Sequence, residues 1–470
     1  MKGIVSYGVY LPYWRLQRKA ITGSLGSGGG KGARSVASFD EDTTSMAVEA
    51  GRVALRQAPD GSSPSTLWFS TTAPAYADKT NATAVHAALS LDAGVAAFDA
   101  CGSVGSAVGA AWAAYQAGGL AILSDIRTGL PGGADESNGG DGAVAILFGE
   151  GDHVIAEPIG GAVATGEFTD RWRVPGEAYS KQWEERFGEF AYAPLVEQAV
   201  GDALKGAGLS GGDLDHVILT GLHGRAVKAS AKTVGARAEA YADDLAGEIG
   251  NAGAAQFGIV LADVLDRAQP GQTIAMVTLA DSVTVWLLRT TAAIASYKRG
   301  PSVRAQIAAT KDTLPYAQFL TWRGFLKREP PRRPEPERPA GPPSLRSTKW
   351  KYGFYGSKDE GGFLHLPPSR VSMGSGAIDQ MEPVCMADVP ATIATFTVDR
   401  LAFSLSPPVV AAVVDFDGGG RMQCELTDVD PAAVRIGDRV EMTFRRLYTQ
   451  DGIHDYFWKA RPIRNAQGSN

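Results

Sequence analysis

The sequence predicts a large α/β domain followed by a small all-β domain. Up to about residue 310, short β-branched runs alternate with alanine-rich stretches, the pattern of a buried sheet flanked by helices. From residue 391 onward, short β-type runs follow one another closely, which is typical of a small barrel or sandwich. Between these regions, residues 327–343 carry many prolines, which remove backbone donors and fix φ. We therefore interpret that segment as a linker.

Size and charge exclude several classes of protein. A chain of 470 residues is too long to fold around one ordinary hydrophobic core, and its 44% hydrophobic content is ample for folding. We therefore expect two or more domains. The 45 basic and 51 acidic residues give a net charge of −6, and we expect no nucleic-acid partner. No apolar run reaches the roughly 18 residues that span a bilayer, and the first residues lack the pattern of a signal peptide. We expect a cytoplasmic protein with no membrane partner.

Individual elements can be placed along the chain. The segment AspGluAspThrThr (40–44) precedes an apolar-periodic stretch, which predicts a helix start by capping and charge. Three apolar runs, 144–148, 217–220 and 274–279, predict buried strands. In the second domain, strands are predicted at 392–398, 409–416, 422–426 and 439–444, with a hairpin turn at 415–420.

Cys101 lies where an apolar strand meets a helical run from about Val104 to Ala117. A helix N-terminus favours thiolate over thiol, and its free N–H groups can stabilise an oxyanion on a bound thioester. Acyl-enzyme chemistry needs both effects. The alternative is a buried cysteine that acts as a small hydrophobic side chain. Cys385 and Cys424 form no CxxC pair, so neither a disulfide framework nor a cysteine-rich metal site is expected.

Two further junctions carry polar side chains. His223 lies in the turn between a strand that ends near Thr220 and a basic helix that starts after Gly224. Asn251 lies between two glycines, Gly250 and Gly253, just before a long helix. The alternatives are a surface or packing histidine and an N-cap asparagine. Together with Cys101, these residues nevertheless describe an active site that is split between distant parts of an α/β chain.

The helix after His223 carries three cations at helical spacing, Arg225, Lys228 and Lys232. One face of this helix is therefore positive and can meet a phosphate-bearing ligand. A solvated basic face is the alternative, and the cations alone do not decide between the two.

Four motifs together resemble hydroxymethylglutaryl-CoA synthases and ketoacyl synthase III enzymes. They are AspGluAspThrThrSerMetAlaValGluAla (40–50), PheAspAlaCysGlySer (98–103), GlyAspGlyAlaValAlaIleLeuPheGly (140–149) and GlyAsnAlaGlyAlaAla (250–255). The match covers about residues 1–310. It implies the duplicated, five-layered thiolase fold, a homodimer, no bound cofactor, and a coenzyme A thioester as substrate. Carried over by motif, Cys101 is the acylated nucleophile and Asn251 helps bind the thioester oxygen.

The resemblance also shows departures from the synthase pattern. The family histidine falls on Thr220, with His223 three residues later as the expected proton shuttle. The family's catalytic glutamate falls on Thr71, so the usual carboxylate for proton abstraction is replaced. The family's glycine-rich turn reads LeuAlaAspSerVal (279–283), in which Asp281 is a candidate substitute carboxylate.

The C-terminal part resembles OB-fold proteins with a zinc-ribbon segment that accompany thiolases in acyl-CoA complexes. Where such ribbons have two cysteine pairs, this sequence has Asp359 and Gly362, then Ser372 and Ser375, with His365 nearby. Because thiolates are missing, we expect no zinc. The resemblance implies a partner thiolase-type chain, and fusion keeps the OB-fold domain at high effective concentration.

These observations divide the chain into four parts: a thiolase-like domain (1–315), a Pro/Arg-rich linker (316–345), a degenerate zinc-ribbon segment (346–378) and an OB-fold domain (379–465). The favoured function is an acyltransferase that forms or breaks a C–C bond through an acyl-enzyme at Cys101. A retro-aldolase acting on β-hydroxyacyl-CoA esters and a non-catalytic, CoA-ester-binding scaffold for a partner thiolase are the alternatives. The sequence does not fix the acyl group, the acceptor or the direction.

Overall fold

A computed structural model describes residues 1–330, 338 and 346–464 of the chain. The first half of the α/β domain contains strands β1 (Lys2–Tyr10), β2 (Trp14–Gln17), β3 (Ala33–Val36), β4 (Thr66–Thr71), β5 (Ala96–Cys101), β6 (Leu120–Ile126) and β7 (Asp141–Glu150). Its helices are α1 (Lys19–Leu25), α2 (Thr43–Gln57), α3 (Ala82–Ala88), α4 (Val104–Ala117) and α5 (Ala134–Asn138). A reciprocal pair of hydrogen bonds between Asp42 and Ser45 caps α2, which confirms the predicted helix start.

The second half contains strands β8 (Ala156–Thr165), β9 (Arg171–Trp172), β10 (Lys181–Gln182), β11 (His216–Gly221), β12 (Thr273–Leu279) and β13 (Ser282–Thr290). Its helices are α6 (Glu185–Ala207), α7 (Gly224–Val234) and α8 (Gln256–Leu265). The buried strands predicted at 144–148, 217–220 and 274–279 are confirmed as parts of β7, β11 and β12.

The two halves share one mixed sheet. Within the described residues its strand order is β11-β12-β13-β8-β1-β7-β6-β4-β5, and the halves join where Ile4 of β1 pairs with Ala156 of β8. Helix α2 covers one face of the first half, α6 and α7 cover one face of the second, and α4 and α8 lie between the halves. This arrangement confirms the predicted duplicated, five-layered α/β fold.

Helices α9 (Val303–Ala308) and α10 (Tyr316–Trp322) follow the sheet. Helix α10 occupies the start of the segment that was predicted as a linker from residue 316. Phe319 of this helix is buried against Leu16 and Ile21 of the first domain. An apolar spacing of three to four residues in 316–320 was the signal for this helix. Most of the remaining predicted linker, 331–337 and 339–345, lies outside the described residues.

The C-terminal part contains a short helix (Thr348–Lys351) and a small sheet of β14 (Tyr355–Lys358), β15 (Leu364–His365) and β16 (Glu382–Cys385). A closed barrel follows, formed by β17 (Ala391–Asp399), β18 (Val409–Phe416), β19 (Arg421–Leu426), β20 (Arg439–Gln450) and β21 (Ile453–Pro462). The four predicted strands and the hairpin turn between β18 and β19 are confirmed. The sequence prediction missed β21.

Asp359 is a hydrogen-bond hub in the segment predicted as a degenerate zinc ribbon. Its Oδ2 accepts from Ser372 Oγ at 2.6 Å and from Ser375 Oγ at 2.9 Å, and its Oδ1 accepts from Phe363 N–H at 2.8 Å. These bonds, that of Ser372 first, lower the pKa of Asp359 to about 2. Across the described ranges, no three or more His, Cys, Asp or Glu side chains are arranged so that they could hold a metal ion.

Buried ion pairs join the barrel to the α/β domain. Arg445 of β20 lies 2.6 Å from Glu41 and 2.8 Å from Asp428, and Lys459 of β21 lies 3.0 Å from Asp40. Burial opposes ionisation of Asp40, but Lys459 and Arg445 hold its pKa below the usual range. The acidic residues of the predicted 40–44 helix start therefore also bind the barrel. Among the helices of the described ranges, none has the length and apolar character needed to cross a membrane.

Candidate active site

Cys101 is the last residue of β5 and pairs in register with Thr71 of β4. Helix α4 begins at Val104, as predicted, and Ser103 is its N-cap. The prediction that the helix favours a thiolate is wrong for the free protein. Burial, and then the carboxylate of Asp99, raises the pKa of the half-buried Cys101 thiol to about 11. The side chain therefore stays a thiol at neutral pH until a ligand or base changes its surroundings.

A cavity of about 300 Å³, which we call the reaction cavity, opens beside the segment that follows Cys101. Residues 102–104 form one wall. The other walls include Thr72, Arg127, Asp170, Arg171, Trp172, Tyr192, Leu222, His223 and Asp281. Segments that are far apart in sequence thus meet at one place. Of the three predicted site residues, His223 lines this cavity, Cys101 directly precedes its wall, and Asn251 is not among its lining residues.

A larger cavity of about 620 Å³, which we call the outer cavity, adjoins the reaction cavity. Arg127, Arg171 and Leu222 line both. The outer cavity is also lined by Arg18, Lys228, Thr220 and Asn251. One extended ligand can therefore reach from the cationic outer cavity to the segment beside Cys101.

Both ring nitrogens of His223 bond to backbone groups. Nδ1 accepts from Ala226 N–H at 3.1 Å, and Nε2–H donates to Glu185 O at 2.8 Å. His223 is thus the N-cap of α7 and ties that helix to α6. It lines the reaction cavity, but proton transfer through its ring requires one of these bonds to open.

Asn251 lies between the strand ends rather than at a helix cap. Its Nδ2 donates to Gly221 O and its Oδ1 accepts from Gly253 N–H, both at 2.9 Å. The N-cap of α8 is Ala255, so the alternative interpretation of Asn251 as an N-cap of that helix is wrong. An amide group has two donor hydrogens. One remains for a ligand in the outer cavity.

The three predicted cations of α7 do not converge. Lys228 lines the outer cavity. Arg225 instead pairs with Glu185 at 2.7 Å and lines a separate pocket between α6 and α7. Lys232 lines neither of the two cavities near Cys101. Arg18, which the sequence analysis did not single out, joins Lys228 in the outer cavity.

Asp125 is a buried carboxylate that the sequence analysis missed. It lies at the end of β6 and accepts from Thr72 Oγ1 at 2.7 Å and from Ala254 N–H at 3.0 Å. Burial raises its pKa, although Arg127 opposes this shift. Its bonds connect the strand ends that surround Cys101. A single aspartate at a strand end is a weak sequence signal, which is why it was overlooked.

Comparison with known proteins agrees with this fold. The hydroxymethylglutaryl-CoA synthase of Picrophilus torridus is 30% identical over 346 residues, covering 69% of this chain and 98% of the relative. The chain belongs to the hydroxymethylglutaryl-CoA synthase family. It is therefore an enzyme of the acyltransferase class. The synthase of Methanothermobacter thermautotrophicus is 29% identical, across 70% of this chain and 99% of its own length.

Solved structures show the same fold at lower identity. MvaS in complex with 3-hydroxy-3-methylglutaryl coenzyme A has a TM-score of 0.56 and 19% identity, covering 72% of this chain and 95% of its own. The 3-oxoacyl-(acyl carrier protein) synthase III of Pseudomonas aeruginosa PAO1 has a TM-score of 0.54 and 19% identity, covering 62% and 98%. A family model described as "ChsH2, C-terminal OB-fold domain" matches residues 386–445. The chain thus joins a hydroxymethylglutaryl-CoA synthase domain to an OB-fold domain.

Two threonines occupy the positions that the motifs align with the catalytic glutamate and histidine of the hydroxymethylglutaryl-CoA synthase family. Thr71 Oγ1 accepts from Ala73 N–H at 3.0 Å. Thr220 is buried, with its Oγ1 3.2 Å from Thr278 Oγ1. A hydroxyl group of ordinary acidity is a poor general base at neutral pH. Neither threonine is therefore suited to act as a base at this site.

Proposed function

We propose that the chain catalyses a Claisen-type acyl transfer from a coenzyme A thioester, with Cys101 as the acylated nucleophile. One observation carries this proposal: the segment 102–104, directly after Cys101, forms a wall of the reaction cavity, which adjoins a larger cationic cavity. A CoA ester has the matching shape, with a reactive carbonyl at one end of a long arm and phosphates at the other. Membership of the acyltransferase family supports the same chemistry.

The outer cavity supplies the binding groups. Arg18 and Lys228 are the cations positioned for the phosphates, because charge-assisted hydrogen bonds to phosphate are the strong ones. Asn251 offers one amide N–H to the thioester oxygen. The first turn of α4 adds backbone N–H groups that lack intrahelical acceptors, the usual components of an oxyanion hole. In this proposal Arg225 and Lys232 have no direct contact with the CoA ester.

We also propose a homodimer that forms along β5. This strand lies at the edge of the described sheet, so one row of its backbone N–H and C=O groups is available for pairing. Phe98 of β5 is 42% exposed and Trp112 of the neighbouring α4 is 49% exposed. Burial of such aromatic side chains is a common source of interface stability. A partner thiolase-type chain is a further candidate for association.

A retro-aldolase is the second candidate, and one observation favours it. The Cys101 thiol has a raised pKa, whereas two carboxylates, Asp170 and Asp281, line the cavity beside it. Cleavage of a β-hydroxyacyl-CoA ester needs a base for the hydroxyl proton and does not need a cysteine. Turnover of such an ester that survives the loss of Cys101 is the result expected for this candidate.

Mass spectrometry of the intact chain tests the acyl-enzyme. After incubation with acetyl-, propionyl- and longer acyl-CoA esters, we expect a mass gain of one acyl group, which disappears in Cys101→Ala. Cys385→Ala is the matched control, because Cys385 is the exposed cysteine and the one most open to non-specific acylation. It is expected to keep the adduct. An adduct that persists in Cys101→Ala, or full turnover by that variant, contradicts the proposal.

A further inference from the structure

We infer that Asp281 is the general acid–base residue of this site, the carboxylate that removes a proton from the carbon next to the thioester. The inference rests on the proposed function to the extent that a CoA thioester must occupy the reaction cavity. It fills the chemical role that neither Thr71 nor Thr220 can perform.

The position of Asp281 is the first argument. It lies in the tight turn between β12 and β13, and this turn packs against the start of α4: Ala280 O is 2.9 Å from the point where a Cβ on Gly105 would lie. The side chain therefore lines the reaction cavity together with residues 102–104. In this inference, a substrate carbon held between these walls meets Asp281 beside the segment that follows Cys101.

The backbone of Asp281 is held in an unusual conformation. Its φ is +59°, in the left-handed region that few residues other than glycine adopt. Its N–H donates to Tyr192 OH at 3.1 Å, and Tyr192 is buried against Phe168 with ring centroids 4.9 Å apart. Strained backbone that is fixed by surrounding structure is concentrated at functional sites.

The carboxylate of Asp281 is available to a ligand. Among the described residues it has no hydrogen-bond or ion-pair partner, and only its backbone N–H is bonded. The Asp170 carboxylate of the same cavity is likewise unpaired, but it lies outside the turn that packs against the start of α4. By contrast, Asp99 accepts from the N–H groups of Asn81 and Ala82, and Asp125 accepts from Thr72 and a backbone N–H. Burial, followed by the nearby charge of Asp170, raises the pKa of Asp281. Both properties suit a group that must accept and return a proton.

The proton and electron balance of the step is complete. With an acyl group on Cys101, Asp281 takes the proton from the α-carbon of a second CoA thioester, and the C–H electrons form its enolate. That carbon attacks the Cys101 acyl carbonyl, so a C–C bond forms and the C–S bond to Cys101 breaks. The thiolate that leaves then takes the proton from Asp281, which returns both groups to their starting forms.

Hydrogen exchange at the α-carbon isolates the role of Asp281 from that of Cys101. The full chain is incubated with acetyl-CoA or propionyl-CoA in D₂O, and deuterium in the acyl group is followed by mass spectrometry. We expect exchange by the unmodified chain and a loss of at least about 100-fold in Asp281→Asn. Asparagine tolerates the left-handed conformation, so this variant is expected to fold. The Cys101 adduct is expected to form as before.

Two further variants sharpen the result. Asp152→Asn, in an exposed turn, is the control for loss of one negative charge and is expected to exchange normally. Asp170→Asn removes the other carboxylate of the cavity. The inference is overturned if Asp281→Asn exchanges at the unmodified rate, if Asp170→Asn alone abolishes exchange, or if the unmodified chain exchanges neither ester. Failure of the Cys101 adduct to form, with exchange intact, contradicts the proposed acyl-enzyme alone.

Discussion

The polar residues around Cys101 differ in whether the fold already uses their hydrogen-bonding atoms. His223 and Asn251 bond to backbone groups through both of their polar ends, and Asp125 joins two strand ends. The carboxylates of Asp281 and Asp170, by contrast, have no hydrogen-bond partner among the described residues. A residue can therefore match a family motif and still serve the fold, as His223 does in this structure.

The raised pKa of Asp281 has a consequence for stability. A carboxyl group whose pKa is higher in the folded than in the unfolded chain stabilises the fold below the unfolded pKa, and this stability is lost as pH rises through the folded value. Ionisation of Asp281 as pH rises therefore opposes folding. Asp281→Asn is expected to raise the melting temperature at pH 7 and to change it much less at pH 4, as measured by calorimetry. A lower melting temperature at pH 7 contradicts this assignment.

At the scale of elements, predictions from a regular spacing of apolar residues were correct. A strand in which charged residues interrupt that spacing was missed. Helix α4 and strand β11 begin and end almost where apolar periodicity and glycine place them. Strand β21 was missed because His454, Asp455 and Lys459 interrupt its apolar alternation. Lys459 is buried in ion pairs with residues outside β21, such as Asp40. Whether this charged side chain is buried or exposed is therefore decided by tertiary contacts. For the same reason, Asp170 and Tyr192 could not be assigned to the site from sequence.

Helix α7 offers a test of the role of its N-cap. His223→Ala removes an acceptor for Ala226 N–H, and we expect a loss of about 1 kcal/mol in the free energy of unfolding, measured with urea. Asparagine caps helices well, so His223→Asn is expected to recover most of that stability. If the histidine only positions α7, His223→Asn also recovers activity. If it transfers protons, activity stays low in both variants.

At the scale of the whole molecule, the barrel and the α/β domain share a buried charge network. Glu49 of α2 lies 3.0 Å from Arg461 of β21. Burial opposes ionisation of Glu49, but Arg52 and Arg461 lower its pKa to about 2. Its contribution to stability is present above the unfolded pKa of about 4.3 and is lost as pH falls towards 2. The two domains should therefore behave as one folding unit near neutral pH and weaken together in acid.

Arg445 is the central cation of that network and the best place to test it. Arg445→Ala leaves the buried carboxylate of Glu41 without its ion-pair partner and Asp428 with Arg464 alone. We expect a loss of about 3–5 kcal/mol in the free energy of unfolding. Arg370→Ala is the matched control, because Arg370 pairs with Asp379 on the surface. It should change the free energy of unfolding far less, because solvent screens an exposed pair. Equal effects in guanidinium titrations of the two variants argue against a buried network.

The hydrogen bonds of Asp359 affect how the segment around it folds. A zinc ribbon folds only when zinc binds, and its thiolate ligands can be oxidised. Asp359, Ser372 and Ser375 are joined by hydrogen bonds that the polypeptide supplies by itself. Carboxylate and hydroxyl groups, unlike thiolates, are not oxidised by peroxide. The order of this segment around Asp359 therefore draws on groups that the polypeptide itself carries.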